Sequence, residues 1–189
     1  MFELSLFDHL RMTFGHIINR HRAHAELAQS HRRWDRALRI AEVVLVVGVL
    51  VTSLASAYGR GYWYSIVAAV LAALAIVVVL CHLTLGLDSS AQAHAACATR
   101  MWHMRERYRA LLSDLHDGAL GVDAVRRRRD ELIAELRQVY EEAPPLERKA
   151  YQTAGQSLRT GDDEKALSDE EIDKFLPKSL QAEAKSARA

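Results

Sequence analysis

The N-terminal segment carries histidines at spacings that bring them to one face of a helix. His21 and His24 lie one turn apart, and His31 follows two turns later. Imidazoles at this spacing could bind a transition metal or exchange a proton near neutral pH. Because no carboxylate or cysteine completes a ligand set on that face, the favoured interpretation is polar packing at a helix interface. We therefore predict no metal and no other cofactor.

A run of four arginines at residues 126–129 could bind nucleic acid or lipid headgroups. Successive helical residues are about 100° apart, so four in a row point all round a helix and form no single binding face. Acidic residues four positions after Arg126 and Arg127 indicate a solvated ion-pair surface instead. Arg129 falls on an apolar stripe, and we expect it to form a buried ion pair with Asp114 of a neighbouring helix.

The overall composition excludes several functional classes. A net charge of +1 gives no basic excess for coating nucleic acid, so direct nucleic-acid binding is not expected. Two cysteines rule out a disulfide-stapled scaffold and a four-cysteine zinc site. The sequence has no His-Glu-x-x-His pair, no glycine-rich phosphate loop and no Gly-x-Ser-x-Gly elbow. We predict that the protein is not an enzyme.

Two long uncharged segments indicate membrane helices. Residues 62–87 would span roughly 39 Å as a helix, which exceeds a hydrocarbon core of roughly 30 Å. Residues 43–58 give only about 24 Å, and starting at residue 37 extends the helix to about 33 Å. That extension places Arg39 and Glu42 near the headgroups, where their spacing allows them to pair. Buried core helices of a soluble protein are the alternative, but such helices are rarely apolar on every face.

Only Gly59, Arg60 and Gly61 separate the two segments, which predicts a tight helical hairpin. Arginines are concentrated before the first span and after the second, whereas the hairpin tip has Arg60 alone. This distribution predicts that both termini are cytoplasmic. Aromatic residues suited to the membrane interface lie at the span ends: Trp34, Tyr58, Tyr62, Trp63 and Tyr64.

Small and polar residues recur within the spans. Gly48, Thr52 and Ser56 form a stripe at four-residue spacing, and His82 lies near the cytoplasmic end of the second span. Small residues let membrane helices approach closely, so packing within the hairpin or between protomers is favoured. The alternative is that Thr52 and Ser56 line a water path in an oligomer, because two helices alone are too thin to enclose one. His82 could likewise pack, snorkel or gate.

Beyond the second span, apolar residues recur at spacings of 4, 3, 4, 3 and 4, which predicts the packing seam of a helical bundle. The seam residues are Cys97, Met101, Met104, Tyr108, Leu111 and Leu115. Further helices are predicted over residues 122–142 and 146–158. A last short helix is predicted from the capping box that starts at Ser168, and it ends at Pro177.

The predicted fold is therefore an all-α membrane protein. A two-helix transmembrane hairpin is combined with a cytoplasmic N-terminal helix and a C-terminal helical bundle. The expected layout is a cytoplasmic helix at 1–36, a hairpin at 37–87 with spans of about 37–58 and 62–87, a cytoplasmic helical region at 88–180, and a disordered tail at 181–189.

Several short motifs point to a known family. They are Trp-His-Met-Arg-Glu-Arg-Tyr from residue 102, Leu-Leu-Ser-Asp from 111, Arg-Asp-Glu-Leu from 129, Tyr-Glu-Glu-Ala-Pro from 140 and Asp-Glu-Glu-Ile-Asp-Lys-Phe-Leu-Pro from 169. With the hairpin, they resemble the SLATT domain, the SMODS- and SLOG-associating two-transmembrane effector family. The pattern is most similar to the subfamilies found beside reverse transcriptases.

The resemblance implies a membrane effector of a prokaryotic antiviral defence system. Such an effector would oligomerise through its hairpin and form a pore or disrupt the inner membrane, causing abortive infection. A signal derived from an operon-encoded partner, a reverse transcriptase or a nucleotidyltransferase, would activate it. The alternative is a membrane-anchored scaffold that tethers such a soluble enzyme through the packing seam. A cation transporter using the histidines is disfavoured, because no acidic residue lies deep in either span.

Overall fold

The structure, a computed structural model, describes residues 5–59, 61–146 and 169–181. Helices account for 87% of these residues and none of them lies in a strand, which confirms the all-α fold class. In this part of the chain the α-helices are α1 (Leu6–Ala57), α2 (Tyr62–Leu85), α3 (Leu87–His116), α4 (Val122–Glu141) and α5 (Asp169–Asp173). A short 3₁₀ helix follows at Lys178–Leu180.

Some predictions concern residues outside these ranges. They are Arg60 at the hairpin tip, the predicted helix beyond residue 146, the capping residue Ser168, and the C-terminal tail beyond residue 181. Within the described part, α5 ends at Asp173, which is earlier than the stop predicted at Pro177.

Helix α1 joins the predicted N-terminal helix and the predicted first span in 52 residues, Leu6–Ala57. No proline interrupts this stretch of sequence, and a helix persists where every backbone N–H can donate. The Ser5 hydroxyl caps the first turn by accepting a hydrogen bond from the Asp8 backbone N–H at 3.2 Å. The helix passes the predicted boundary at residues 36 and 37 without a break.

Glycines end both membrane helices. Gly59 and Gly61 have φ angles of +75° and +101°, a region that side chains with a Cβ rarely adopt, and they allow the tight connection between α1 and α2. Gly86 adopts the left-handed conformation and ends α2 at Leu85, and α3 starts one residue later. The helix that carries the seam is therefore separated from the second span at Gly86.

The described residues form two compact units. We call Ala28–Gln92 the hairpin unit, because it contains α2 and most of the apolar part of α1. We call the described residues up to Leu27 and from Ala93 onward the bundle unit.

The predicted packing seam forms the centre of the bundle unit. Five of its residues are buried, and Leu115 is partly buried against the same core. The seam contacts apolar residues of α1, α4 and the C-terminal segment. These core partners are Leu10, Phe14, Ile17, Ile18, Val125, Leu132, Leu136, Ile172, Leu176 and Leu180. The seam is therefore used for packing within the chain, and this burial is what holds the unit together.

The C-terminal segment, residues 169–181, and the end of α4 make polar contacts with α1 that the spacing of apolar residues does not predict. The Arg22 guanidinium lies 4.8 Å from the centroid of the Phe175 ring, and Arg20 lies 4.4 Å from that of Tyr140. Arg11 forms an ion pair with Asp173, with Nη2 and Oδ1 at 2.6 Å. Arginines of α1 thus bind residues of α4 and of the C-terminal segment.

Tyr108 offers a first stability test. Its side chain is fully buried, and no described residue lies within hydrogen-bond distance of its hydroxyl. Burial, together with the nearby Tyr140, raises the pKa of this hydroxyl to about 12. Because a buried hydroxyl without a partner costs free energy, Tyr108→Phe should leave the unfolding free energy unchanged or raise it by up to about 1 kcal/mol. The measurement is hydrogen exchange of the α3 amides in the full chain, and a loss above about 1 kcal/mol would contradict the prediction.

Candidate functional site

The candidate functional site is the hairpin unit, and the outer surface of its membrane-spanning part is apolar. Two stretches are long and apolar enough to cross a membrane, one within α1 and one within residues 62–116. Neither stretch is buried inside the protein. Large side chains such as Val43, Leu54, Ile76 and Leu83 are more than half exposed. Core helices of a soluble protein would bury these side chains, so that alternative does not fit. Lipid is the environment that such a surface requires.

Two residues of the predicted stripe, Gly48 and Ser56, lie against the other membrane helix. A Cβ on Gly48 would lie 3.2 Å from Cδ1 of Leu71, which shows how closely the two helices approach. The hydroxyls of Ser56 and Ser65 are 3.2 Å apart. Thr52 donates to the Gly48 carbonyl oxygen of its own helix at 2.7 Å. In this arrangement Gly48 and Ser56 lie where the two helices of the hairpin pack.

The pairing of these residues has a simple signal in the sequence. Two antiparallel helices of equal rise, joined by a tight turn, place residues equally distant from the turn side by side. Gly48 and Leu71 flank residue 60 at nearly equal distances in sequence, as do Ser56 and Ser65. Equal distance from the turn therefore predicts, from the sequence alone, that Gly48 lies near Leu71 and Ser56 near Ser65.

Gly48→Leu is expected to destabilise the hairpin. The space at Gly48 is closed by Leu71, so a leucine forces the two helices apart and lowers the unfolding free energy by about 1–3 kcal/mol. The measurement is unfolding of the full chain in detergent micelles, followed by helical circular dichroism. Ala73→Leu is the matched control, because Ala73 lies on the exposed surface of α2. Equal losses for the two variants would contradict close packing at Gly48.

At the other end of the hairpin from the tight turn, His82 contacts two carboxylates of α1. Its Nδ1 lies 2.7 Å from Oε1 of Glu42, and its Nε2 lies 3.0 Å from Oδ1 of Asp35. The expected pair between Arg39 and Glu42 is not formed. Arg39 instead binds Asp35 at 3.0 Å through an i,i+4 contact. Sequence inspection missed this cluster because its acidic members lie 40 or more residues before His82.

The histidine stripe of α1 does not converge on one point. His24 is fully buried, and its Nδ1 lies 2.9 Å from Nδ1 of His94 on α3. His21 is half-buried, and burial, followed by the charges of Arg105 and Arg22, lowers its pKa. His31 belongs to the hairpin unit. Among the described residues no three His, Cys, Asp or Glu side chains are grouped as metal ligands.

The arginine run forms local ion pairs, and two expectations about it need correction. Arg129 is partly buried and binds its neighbour Asp130 at 2.7 Å, so the buried pair predicted with Asp114 is not formed. An adjacent carboxylate in solvent is reached without desolvating either charge, which a buried pair would require. Arg126 binds Asp123 at 3.6 Å and not the predicted Asp130.

These features define a class of protein. Two apolar helices in a tight hairpin, with an exposed apolar surface and a separate helical bundle unit, make a membrane protein with two transmembrane helices.

Within that class, the chain belongs to SLATT, the SMODS and SLOG-associating 2TM effector domain family 4, whose family model matches residues 6–171. The protein is therefore a membrane effector of a defence system, in a family associated with SMODS and SLOG partners. The resemblance seen in the sequence is confirmed for the family, and the reverse-transcriptase-associated subfamily stays a prediction. No curated protein and no solved structure matches the chain.

Proposed function

We propose that this protein forms an oligomeric pore, or otherwise disrupts the inner membrane, when a signal from an operon-encoded partner activates it. The partner is a defence enzyme, either a reverse transcriptase or a nucleotidyltransferase. Both termini lie in the cytoplasm, where the bundle unit can receive the signal. Activation ends the growth of the infected cell and so limits the spread of a viral infection, which is the proposed antiviral role.

The observation that carries the proposal is the distribution of polar groups in the hairpin unit. The outer surface of the membrane-spanning part is apolar, whereas the hydroxyls of Ser56 and Ser65 contact each other across the two helices, which approach closely at Gly48. A single hairpin packed in this way encloses no water path. Permeation therefore requires several hairpins and a rearrangement that turns polar groups toward a shared lumen. The arrangement described above is then the resting state, and the signal must bind the active state more tightly.

The orientation is supported by the arginines that flank the spans. Seven arginines precede the apolar part of α1 and four follow soon after α2. Positive charge near the ends of membrane helices is retained on the cytoplasmic side. This charge asymmetry supports an inner-membrane protein with both termini in the cytoplasm.

The test compares the intact protein with a hairpin exchange in bacterial cells that carry the complete defence locus. Residues 37–87 are replaced by an unrelated two-helix anchor that keeps the bundle unit and its orientation. Cells with the intact protein should lose membrane potential after phage challenge, measured with a voltage-sensitive dye, and cells with the exchange should keep it. Protection with an intact membrane potential in the first strain would contradict the proposal.

The scaffold alternative predicts that the exchanged protein still protects. Its proposed docking surface was the packing seam, but Met101, Met104 and Tyr108 are buried against the core of the same chain. A partner could reach them only by displacing the segments of this chain that cover them. The burial of the seam therefore favours the membrane-disrupting function over the scaffold.

A further inference from the structure

The cluster of Asp35, Glu42 and His82 is a titratable site within the hairpin unit that the proposed function does not use. The three side chains are 13%, 22% and 21% exposed, even without lipid around them. His82 is on α2, and both carboxylates are on α1, seven residues apart on the same face. The imidazole thus connects the two membrane helices at the end opposite the tight turn.

The hydrogen bonds of His82 determine the number of protons that the cluster holds. An ionised carboxylate accepts hydrogen bonds and donates none, and a neutral imidazole has a single N–H. Both ring nitrogens of His82 face carboxylate oxygens, at 2.7 and 3.0 Å. The two contacts are satisfied together only when one further proton is bound. Because imidazole is a stronger base than a carboxylate, that proton resides on His82 as the imidazolium.

The charges around His82 balance only in the protonated state. The charged groups that face it are Asp35 and Glu42, and Arg39 reaches Asp35 from the same helix at 3.0 Å. With an imidazolium, two positive and two negative charges cancel. Without that proton, one carboxylate at the edge of the apolar surface loses its cationic partner, which is costly near a low-dielectric medium.

We infer that Asp35, Glu42 and His82 form a proton-binding site that holds the two membrane helices together at this end of the hairpin. The inference goes beyond the proposed pore, since it concerns how one hairpin packs. Binding of the proton stabilises the packed hairpin, and its loss as the pH rises favours separation of the helix ends. Linkage of one proton raises the ratio of separated to packed hairpins by up to about tenfold per pH unit.

The distance between the helix ends tests this inference. Nitroxide labels are placed on the full chain in detergent micelles at the native, exposed Cys81 and at Ala37→Cys, with the buried Cys97 replaced by alanine. Electron-electron double resonance is recorded from about pH 6 to about pH 9, a range that brackets ordinary imidazole titration. We expect one short distance at low pH and a growing population at a longer distance as the pH rises.

Two histidine variants distinguish the proposed site from general effects of pH. His82→Gln cannot take up the proton and should make the distance distribution independent of pH. His103→Gln, at an exposed position of α3, should keep the dependence of the parent protein. A parent distribution that does not change with pH, or an unchanged pH dependence in His82→Gln, would overturn the inference.

A second readout keeps the inference testable if His82→Gln does not fold. His82→Lys retains a positive charge across this pH range and should keep the short distance throughout. Nitrogen chemical shifts of the histidine rings in the labelled parent protein report protonation directly. At about pH 6 they should show a ring with hydrogen on both nitrogens that loses one as the longer distance appears. The absence of such a ring, or a longer distance for His82→Lys at low pH, would overturn the inference.

Discussion

Arg11→Ala should lower the unfolding free energy of the bundle unit by about 3 kcal/mol. The Arg11 side chain is 5% exposed, and its Nη2 lies 2.6 Å from Oδ1 of Asp173, which is 17% exposed. Removing the guanidinium leaves a largely buried carboxylate without this cation, so the desolvation of that charge is compensated less. Because Asp173 lies beside Ile172 in the core, the C-terminal segment should also lose protection from solvent.

Hydrogen exchange of the α3 amides in the full chain measures this loss, because it reports opening of the bundle unit separately from the hairpin. Arg129→Ala is the matched control. Arg129 forms its ion pair with the adjacent, exposed Asp130, so its removal should change stability by at most about 1 kcal/mol. Similar losses for the two variants would show that the Arg11 pair adds nothing beyond a surface contact.

The contrast between these two arginines shows where sequence patterns lose their power. The seam from Cys97 to Leu115 was predictable because its spacing of three and four residues is a local property of one helix. The partner of Arg11 lies 162 residues away, and no local pattern points to it. Arg129 fell on the predicted apolar stripe, yet its long side chain reaches Asp130 beside it. Helical periodicity gives the direction of a Cβ, not the position of a guanidinium several bonds further out.

The hairpin was predictable for a different reason. The second span carries no charge and is joined to the first by a glycine-rich connection only a few residues long, which restricts the chain to two antiparallel helices. The spacing of Gly48, Thr52 and Ser56 predicts that they share one face of a helix, but spacing alone does not identify the neighbour of that face. The identity of the neighbour follows from distance to the turn, which also places His82 opposite the part of α1 between Asp35 and Glu42. The sequence alone does not decide whether the stripe packs the hairpin or lines a pore, and the close approach of the two helices at Gly48 is seen only in the structure.

Acidification should destabilise the bundle unit through the buried pair of His24 and His94. The two Nδ1 atoms are 2.9 Å apart, so one ring donates and the other accepts, and a second proton between them would place two N–H groups head to head. Burial, followed by the charges of His94, Arg20 and His21, lowers the pKa of His24 to about 4. His24 is therefore neutral in the folded protein at neutral pH.

The direction of the pH effect follows from the lowered pKa. The unfolded chain takes up a proton at His24 below its ordinary pKa of 6.5, whereas the folded chain resists until about 4. The stabilisation is fully present above about pH 6.5 and is lost as the pH falls toward about 4, by up to about 3 kcal/mol in total. The protein is unfolded by denaturant in micelles at a series of pH values, and hydrogen exchange of the α3 amides monitors the unfolding. The unfolding free energy should decrease as the pH falls from about 6.5 toward about 4.

Two variants separate the buried pair from the other titrating groups of the chain. The asparagine of His24→Asn can donate to His94 but does not titrate, so the stability of this variant should fall less steeply below about pH 6.5. Because asparagine is smaller than the fully buried imidazole, the stability of the variant should be lower at neutral pH. His16→Gln removes an exposed histidine of the same helix and should retain the slope of the parent protein. A slope in His24→Asn equal to that of the parent would mean that acid acts elsewhere, and the carboxylates of the surface ion pairs would then account for the loss.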